Sequence, residues 1–214
     1  EFNLPPRASM RDISRILRLG DVVMHAVTVP EGLTSQQVVE LLLGEPVLSG
    51  RAAIPAEGSL LPETYYVPRG HARATLLSKM QAAQAQALTH LWENRQRGLP
   101  LKTPQEALVL ASIVEKETGQ ADERGQVAAV FVNRLRKRMR LQSDPTIIYG
   151  LVGGKGALGR PIRLSEINKP TPYNTYTIFG LPPTPIANPG RAALAAVLNP
   201  PRTSALYFVA DGTG

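Results

Sequence analysis

The sequence has 214 residues, 43% of them hydrophobic and 19% charged, which is enough to bury one large core or two small ones and is unlike a disordered chain. There is no cysteine, so disulfides, Cys-ligated zinc and a thiol nucleophile are excluded. The three histidines, His25, His71 and His90, lack metal-ligand spacing, and no metal or other cofactor is expected. The formal net charge of +7 suits nucleic acid, an anionic membrane surface, an acidic polymer or simple solubility; no aromatic residues interleave the basic ones, which speaks against nucleic acid.

The longest apolar runs, Val38–Leu43 and Ala107–Val114, are far below the ~18 residues of a membrane span. The chain opens on Glu1-Phe2 without a Met and stops just after a strand-like run, so it reads as a segment trimmed at both ends.

Ser9-Met-Arg-Asp12 opens a helical pattern with Ile13, Ile16 and Leu17 on one face and Gly20 as its stop. Val22–Val29 reads as a strand and Pro30-Glu-Gly32 as a turn. Thr34, with Gln37 three residues on, caps a second helix that ends at Gly44. A Pro/Gly-bounded segment, 57–70, holds Leu60, Leu61, Tyr65, Tyr66 and Val67, and a domain boundary is placed near Gly70. Ala74–Gln96 reads as a long helix broken by Gly98-Leu-Pro100.

The next helix is the best signed. Thr103 is its N-cap, Pro104 its first residue, Glu106 the third position of a capping box, and Gly119 its end. Another helix spans roughly Asp122–Met139. Beyond Leu141 the chain is expected to be loop-like, with nineteen prolines in the sequence as a whole supporting long ordered loops. A short helix at Arg191–Leu198 and a strand at Leu206–Ala210 close it.

One carboxylate stands out. At about 100° per residue, Glu117 lies between Leu110 and Ile113/Val114, near the centre of the apolar stripe, and Glu115 points about 160° away. Burial beside apolar groups raises a carboxylate pKa, and a proton held near neutral pH is what a general acid needs. Two plainer readings stay open: Glu117 escapes to solvent past the helix end, or it pairs with an arginine from Arg134–Arg140. That run of five basic residues itself reads either as a solvated helix end or as a surface facing wall-polymer carboxylates or membrane phosphates.

The loops Gln142–Thr146, Pro172–Thr177, Gly180–Pro183 and Ala187–Gly190 carry amides, hydroxyls and aromatic rings, a mix suited to a carbohydrate or to a rigid Pro-rich loop. Gly153-Gly-Lys-Gly156 lacks the spacing of a phosphate-binding loop.

Several strings resemble the MltG (YceG-like) endolytic murein transglycosylases. They are Ala111-Ser-Ile-Val-Glu-Lys-Glu-Thr118, Val130-Phe-Val-Asn-Arg-Leu135, Leu141-Gln-Ser-Asp-Pro-Thr146, Tyr173-Asn-Thr-Tyr-Thr177, Gly180-Leu-Pro-Pro183, Ile186-Ala-Asn-Pro-Gly190 and Tyr207-Phe-Val-Ala-Asp-Gly212. They stand in the family's order and cover most of residues 105–212; Val29-Pro-Glu-Gly32 and Glu57–Tyr65 extend the likeness.

The resemblance implies an α+β chain: an N-terminal region, residues 1–70, with a LysM-like module, then a mixed α+β catalytic domain, residues 71–214. It implies a bacterial inner-membrane protein with a periplasmic body, anchored by a helix ahead of Glu1, and a family segment continuing past Gly212. The implied reaction cleaves the MurNAc–GlcNAc bond of nascent glycan strands, leaves 1,6-anhydro-MurNAc ends and terminates elongation. Peptidoglycan synthases (penicillin-binding proteins) are the implied partner class. The family's catalytic glutamate falls on Glu117. Gln142, Asp144, Tyr173, Asn174 and Tyr176 are the candidate substrate-binding residues. A muramidase using Glu117 with Asp144 and a non-catalytic wall-binding module are the rival readings.

Overall fold

A computed structural model describes residues 1–2, 4–20 and 22–208. Twelve elements follow in order: α1 Met10–Leu19, β1 Met24–Thr28, α2 Ser35–Gly44, β2 Leu48–Ser49, β3 Thr64–Pro68, β4 His71–Ala72, α3 Arg73–Glu93, α4 Pro104–Glu117, α5 Arg124–Arg136, α6 Asp144–Val152, α7 Leu164–Ile167 and α8 Arg191–Leu198. The result is mixed α+β, mostly helical, with β1 antiparallel to β3 and a short parallel pair of β2 and β4.

Local chemistry sets most boundaries. Ser9 with Asp12 and Thr34 with Gln37 form reciprocal capping boxes, and Gly20 closes α1 in the left-handed region. Thr103 caps α4 through the Glu106 N–H, but the Glu106 carboxylate reaches back to the Lys102 N–H, so the expected box closes one residue early. Helix α4 stops at Glu117, because Thr118 is extended, and Gly119 lies beyond the end.

Two expectations fail. The stretch beyond Leu141 is not all loop: Asp144-Pro-Thr146 starts helix α6, with Pro145 in the first turn where its missing N–H costs nothing. The closing strand is also not formed over its described part: Leu206–Phe208 has no strand partner, and Val209 and Ala210 lie outside the described residues.

Two apolar clusters form. One gathers Val27, Val38, Leu42, Leu60, Tyr65 and Val67 of the N-terminal segment with Leu76, Leu77 and Met80 from the first half of α3. The other gathers α4, α5 and α8 with Leu141 and Ile186, and Leu88, Leu91 and Trp92 from the second half of α3 pack onto it. Helix α3 is thus common to both.

Buried amides join the two clusters. Asn188, fully buried, accepts from the Leu60 N–H at 2.9 Å and donates to the Leu33 carbonyl at 3.0 Å; Gln84 of α3 donates to the Gly58 and Pro189 carbonyls. A Cβ on Gly58 (φ +77) would lie 2.6 Å from the Pro185 ring, so the N-terminal segment sits directly on the loop before α8. Helix α4, packed by α3, α5, α6 and α8, runs through the middle and ends at the site described next.

Candidate active site

Helix α4 is buried on every side from Ala107 to Glu115. A single apolar stripe therefore does not exist on it, and the angular argument that set Glu117 apart from Glu115 does not hold as made. Glu115 is the more buried of the two, 8% exposed. What separates them is their partners. Glu115 accepts from the Gly190 N–H at 2.8 Å and pairs with buried Arg124 at 3.3 Å, which also reaches Glu31 at 3.5 Å. Burial still raises its pKa, but both oxygens are occupied by the protein.

Glu117 has no such ion pair among the described residues. Its Oε1 accepts from the hydroxyl of Ser143 at 2.5 Å. Burial pushes its carboxyl pKa up; the Ser143 bond opposes this, the negative charge of Asp144 adds to it, and Arg134 opposes it at longer range. The two plainer readings of Glu117 are thus set aside by geometry: the side chain is largely buried, and Arg134 directs its guanidinium elsewhere, to the Leu206 and Leu141 carbonyls. Arg134 is itself buried, so the basic run is not simply a solvated helix end.

Ser143 was not among the residues singled out from the sequence. A Ser before Asp-Pro is the pattern of a helix N-cap, and Ser143 occupies that position before α6, yet its hydroxyl makes no capping bond and turns to Glu117 instead. Its backbone is held by a buried hydroxyl group: the Ser143 N–H donates to Thr175 Oγ1 at 2.9 Å, and Thr146 Oγ1 donates to the Ser143 carbonyl at 2.6 Å. Gln142, left-handed at φ 54, makes the turn into α6 and donates its N–H to the Thr175 carbonyl. For a side chain with a Cβ that conformation is strained, and it persists here because both neighbours are pinned.

Among the five candidate binding residues, Gln142 and Asp144 are exposed beside Ser143, and the Tyr176 hydroxyl donates to Asp144 at 2.7 Å. Burial and that bond push the Tyr176 pKa up to about 12, so it stays a neutral phenol. Tyr173 turns the other way: its ring lies 5.0 Å from that of Tyr149 and its hydroxyl 2.8 Å from Thr184. Asn174 is 1% exposed, and its amide nitrogen faces the Glu166, Ile167 and Lys169 carbonyls. That side chain orders the loop and offers nothing to solvent. Phe179 is exposed with the Arg140 guanidinium 5.1 Å from its ring centre. Among the described residues no group of His, Asp and Glu is arranged to hold a metal ion.

The strings that meet here lie far apart in sequence: the end of α4, the start of α6, the loop 171–177 and, behind them, residues 186–190 against 29–35 and 57–60. A sequence profile of the YceG-like family matches residues 1–214. The chain belongs to the YceG-like family. A Streptococcus pneumoniae protein named endolytic murein transglycosylase is 30% identical to this YceG-like chain over 99% of it and 46% of the relative. A Bacillus subtilis protein of the same name is 32% identical over 75% of the chain and 43% of the relative. The YceG-like chain thus spans about half the length of the relatives it matches. A crystal structure of a yceG-like protein of Listeria monocytogenes superposes with a TM-score of 0.69 at 27% identity, over 98% of this chain and 78% of that one.

Proposed function

We propose that the chain carries the catalytic centre of an endolytic peptidoglycan lytic transglycosylase, with Glu117 as the single acid and base. The observation that carries this reading is a largely buried carboxyl, raised in pKa, with one oxygen fixed by Ser143 and no ion pair. Protonated Glu117 gives its proton to the glycosidic oxygen as the MurNAc–GlcNAc bond breaks through an oxocarbenium-like state. The resulting carboxylate then takes the proton of the MurNAc 6-hydroxyl as that oxygen closes on C1. No water is consumed, a 1,6-anhydro end remains, and glycan elongation stops there.

Gln142, Asp144 and Tyr176 are proposed to contact the sugars, while Tyr173 and Asn174 shape the loop that carries Tyr176. The names of the relatives support peptidoglycan strands as substrate. A LysM-like N-terminal module over residues 1–70 is supported by the antiparallel β1–β3 pair bracketing α2 above an apolar cluster that it shares with the first half of α3; the rest of the chain is proposed as the catalytic part. A periplasmic body on a single-pass inner-membrane anchor, working beside peptidoglycan synthases, completes the proposal. No helix among the described residues is long and apolar enough to cross a membrane.

One observation favours a second reading. Asp144 lies close enough to Glu117 to raise its pKa, so a muramidase with two carboxylates is chemically possible. Mass spectrometry of products from uncrosslinked glycan strands separates the two. The full-length protein should give anhydro-MurNAc ends and Glu117→Gln none, with binding to purified sacculi retained. Reducing MurNAc ends would establish the muramidase, and cleavage surviving in Glu117→Gln would remove Glu117 from the chemistry.

A further inference from the structure

The Gly-rich stretch after α6 is left without a role by the chemistry above. In the structure Gly154, Gly156, Ala157 and Leu158 form one wall of a cavity of about 300 Å³ between α2, α4 and α6. Pro145, Ile148 and Val152 of α6 and Ile186 make its floor apolar, while Thr34 and Gln37 face it from the start of α2 and Lys116 from α4. Lys116 is the charged side chain among the lining residues; its Nζ lies 3.3 Å from the Gly32 carbonyl.

The loop is held over the cavity by the Thr34 hydroxyl, which donates to the Gly154 carbonyl at 2.6 Å. Gly154 is left-handed at φ +79, and a Cβ there would lie 3.4 Å from a Glu57 oxygen. Glu57 stands behind this wall with its oxygens taken by the Ser35 N–H and the Tyr149 hydroxyl, so it does not neutralise Lys116 from inside the cavity.

The cavity shares two helices with the acid. Lys116 precedes Glu117 on α4 and Pro145 follows Asp144 on α6. A substituent on a sugar held at Glu117 would need to pass only from one face of α4 to the next, and α-helices are about 10–12 Å across. A peptide of three or four residues reaches about 10–14 Å when extended.

We propose that this cavity binds the acidic stem peptide of the glycan strand, its methyl-bearing residues on the apolar floor and a free carboxylate on Lys116, with the Gln37 side-chain N–H donating to a peptide carbonyl while its oxygen stays on the Thr34 N–H. The inference rests on the proposed action on peptidoglycan and adds to it a second recognition site, on the peptide rather than the sugar. Charge and shape select the occupant: one cation at the rim, a polar amide opposite, and an apolar base too small for a folded partner.

Calorimetry with the full-length protein and free stem tripeptide tests it without any cleavage. Binding by the wild type should weaken ~10-fold in Lys116→Gln and persist in Lys116→Arg, and the tripeptide with amidated carboxyls should bind as weakly as Lys116→Gln binds the free acid. Absence of binding, or equal binding by Lys116→Gln, overturns the proposal. Cleavage then checks it in context. Strands bearing stems should show a lower KM than strands stripped by an amidase, and Lys116→Gln should lose that preference while cutting stripped strands as the wild type does. A wild type indifferent to stems also overturns it. If the wild type cuts neither strand, the transglycosylase reading fails, and the calorimetry still decides the cavity.

Discussion

Glu115 and Glu117 sit two residues apart on one helix, and both have carboxyl pKa values raised by burial. Their fates diverge because Glu115 is answered by Arg124 and the Gly190 N–H, whereas Glu117 is answered by one hydroxyl. A buried carboxylate with a cation and an amide is a cross-link; one with a single neutral donor is free to exchange a proton. Ser143 holds the charged form of Glu117, so removing its hydroxyl should raise the Glu117 pKa further. In Ser143→Ala the limb of the kcat/KM profile that falls as the acid deprotonates should therefore move to higher pH. The rate at the optimum should drop by about ten-fold, since orientation of the acid is lost. An unchanged profile would make Ser143 a bystander.

At the level of elements, the site is a meeting of ends. The last residue of α4, the residue before α6 and a loop with no regular structure supply its groups. The junction of Asn188 with the N-terminal segment holds the same region from behind. Asn188→Ala would leave the buried Leu60 N–H without its acceptor and take from the Leu33 carbonyl the second of its two donors, the backbone N–H of residue 188 remaining. A cost of about 3 kcal/mol in urea denaturation is expected, against almost none for an exposed position such as Gln86→Ala. Helix α6 could be read from Ser143-Asp-Pro only by giving capping chemistry more weight than the Gly and Pro that follow it; the composition of the region as a whole points to loop. Helix α8, by contrast, spans Arg191–Leu198 as its pattern predicts, because Pro189-Gly190 and Asn199-Pro200 bound it sharply.

Across the whole molecule, three partly buried carboxyls, Glu57, Glu115 and Glu117, have pKa values raised mainly by burial. Each binds its proton more tightly folded than unfolded. Between the unfolded carboxylate value of about 4.3 and the raised folded values, the native state holds more protons, so stability must fall as pH rises through that window. Glu166, lowered to about 2 by Arg160, acts in the opposite sense but only on the acid side of about 4.3, where its contribution is lost as pH falls. Urea midpoints should therefore decline as pH rises above the unfolded value of about 4.3 and level off once the raised folded values are passed. Glu117→Gln, which cannot ionise, should flatten part of that decline and be more stable than the wild type at neutral pH, as expected where a site holds its acid at a cost in stability. A midpoint that climbs steadily to neutral pH would contradict this.

The sequence alone determined what depends on near neighbours. The capping boxes at Ser9 and Thr34, the cap at Thr103 and the Pro/Gly bounds of α8 follow from spacings of three or four residues, and the ordered strings around Glu117 carry the family likeness. Tertiary structure decided what depends on residues distant in sequence. Which carboxylate is neutralised rests on Arg124, Gly190 and Ser143, which lie 9, 75 and 26 residues away from the groups they bind. Asn174 has the polarity of a sugar ligand, yet its surroundings turn it inward to three carbonyls. Helical periodicity reports one face against one core, and α4 has a core on all sides, so periodicity could not rank its two glutamates. Only the packing that surrounds them does.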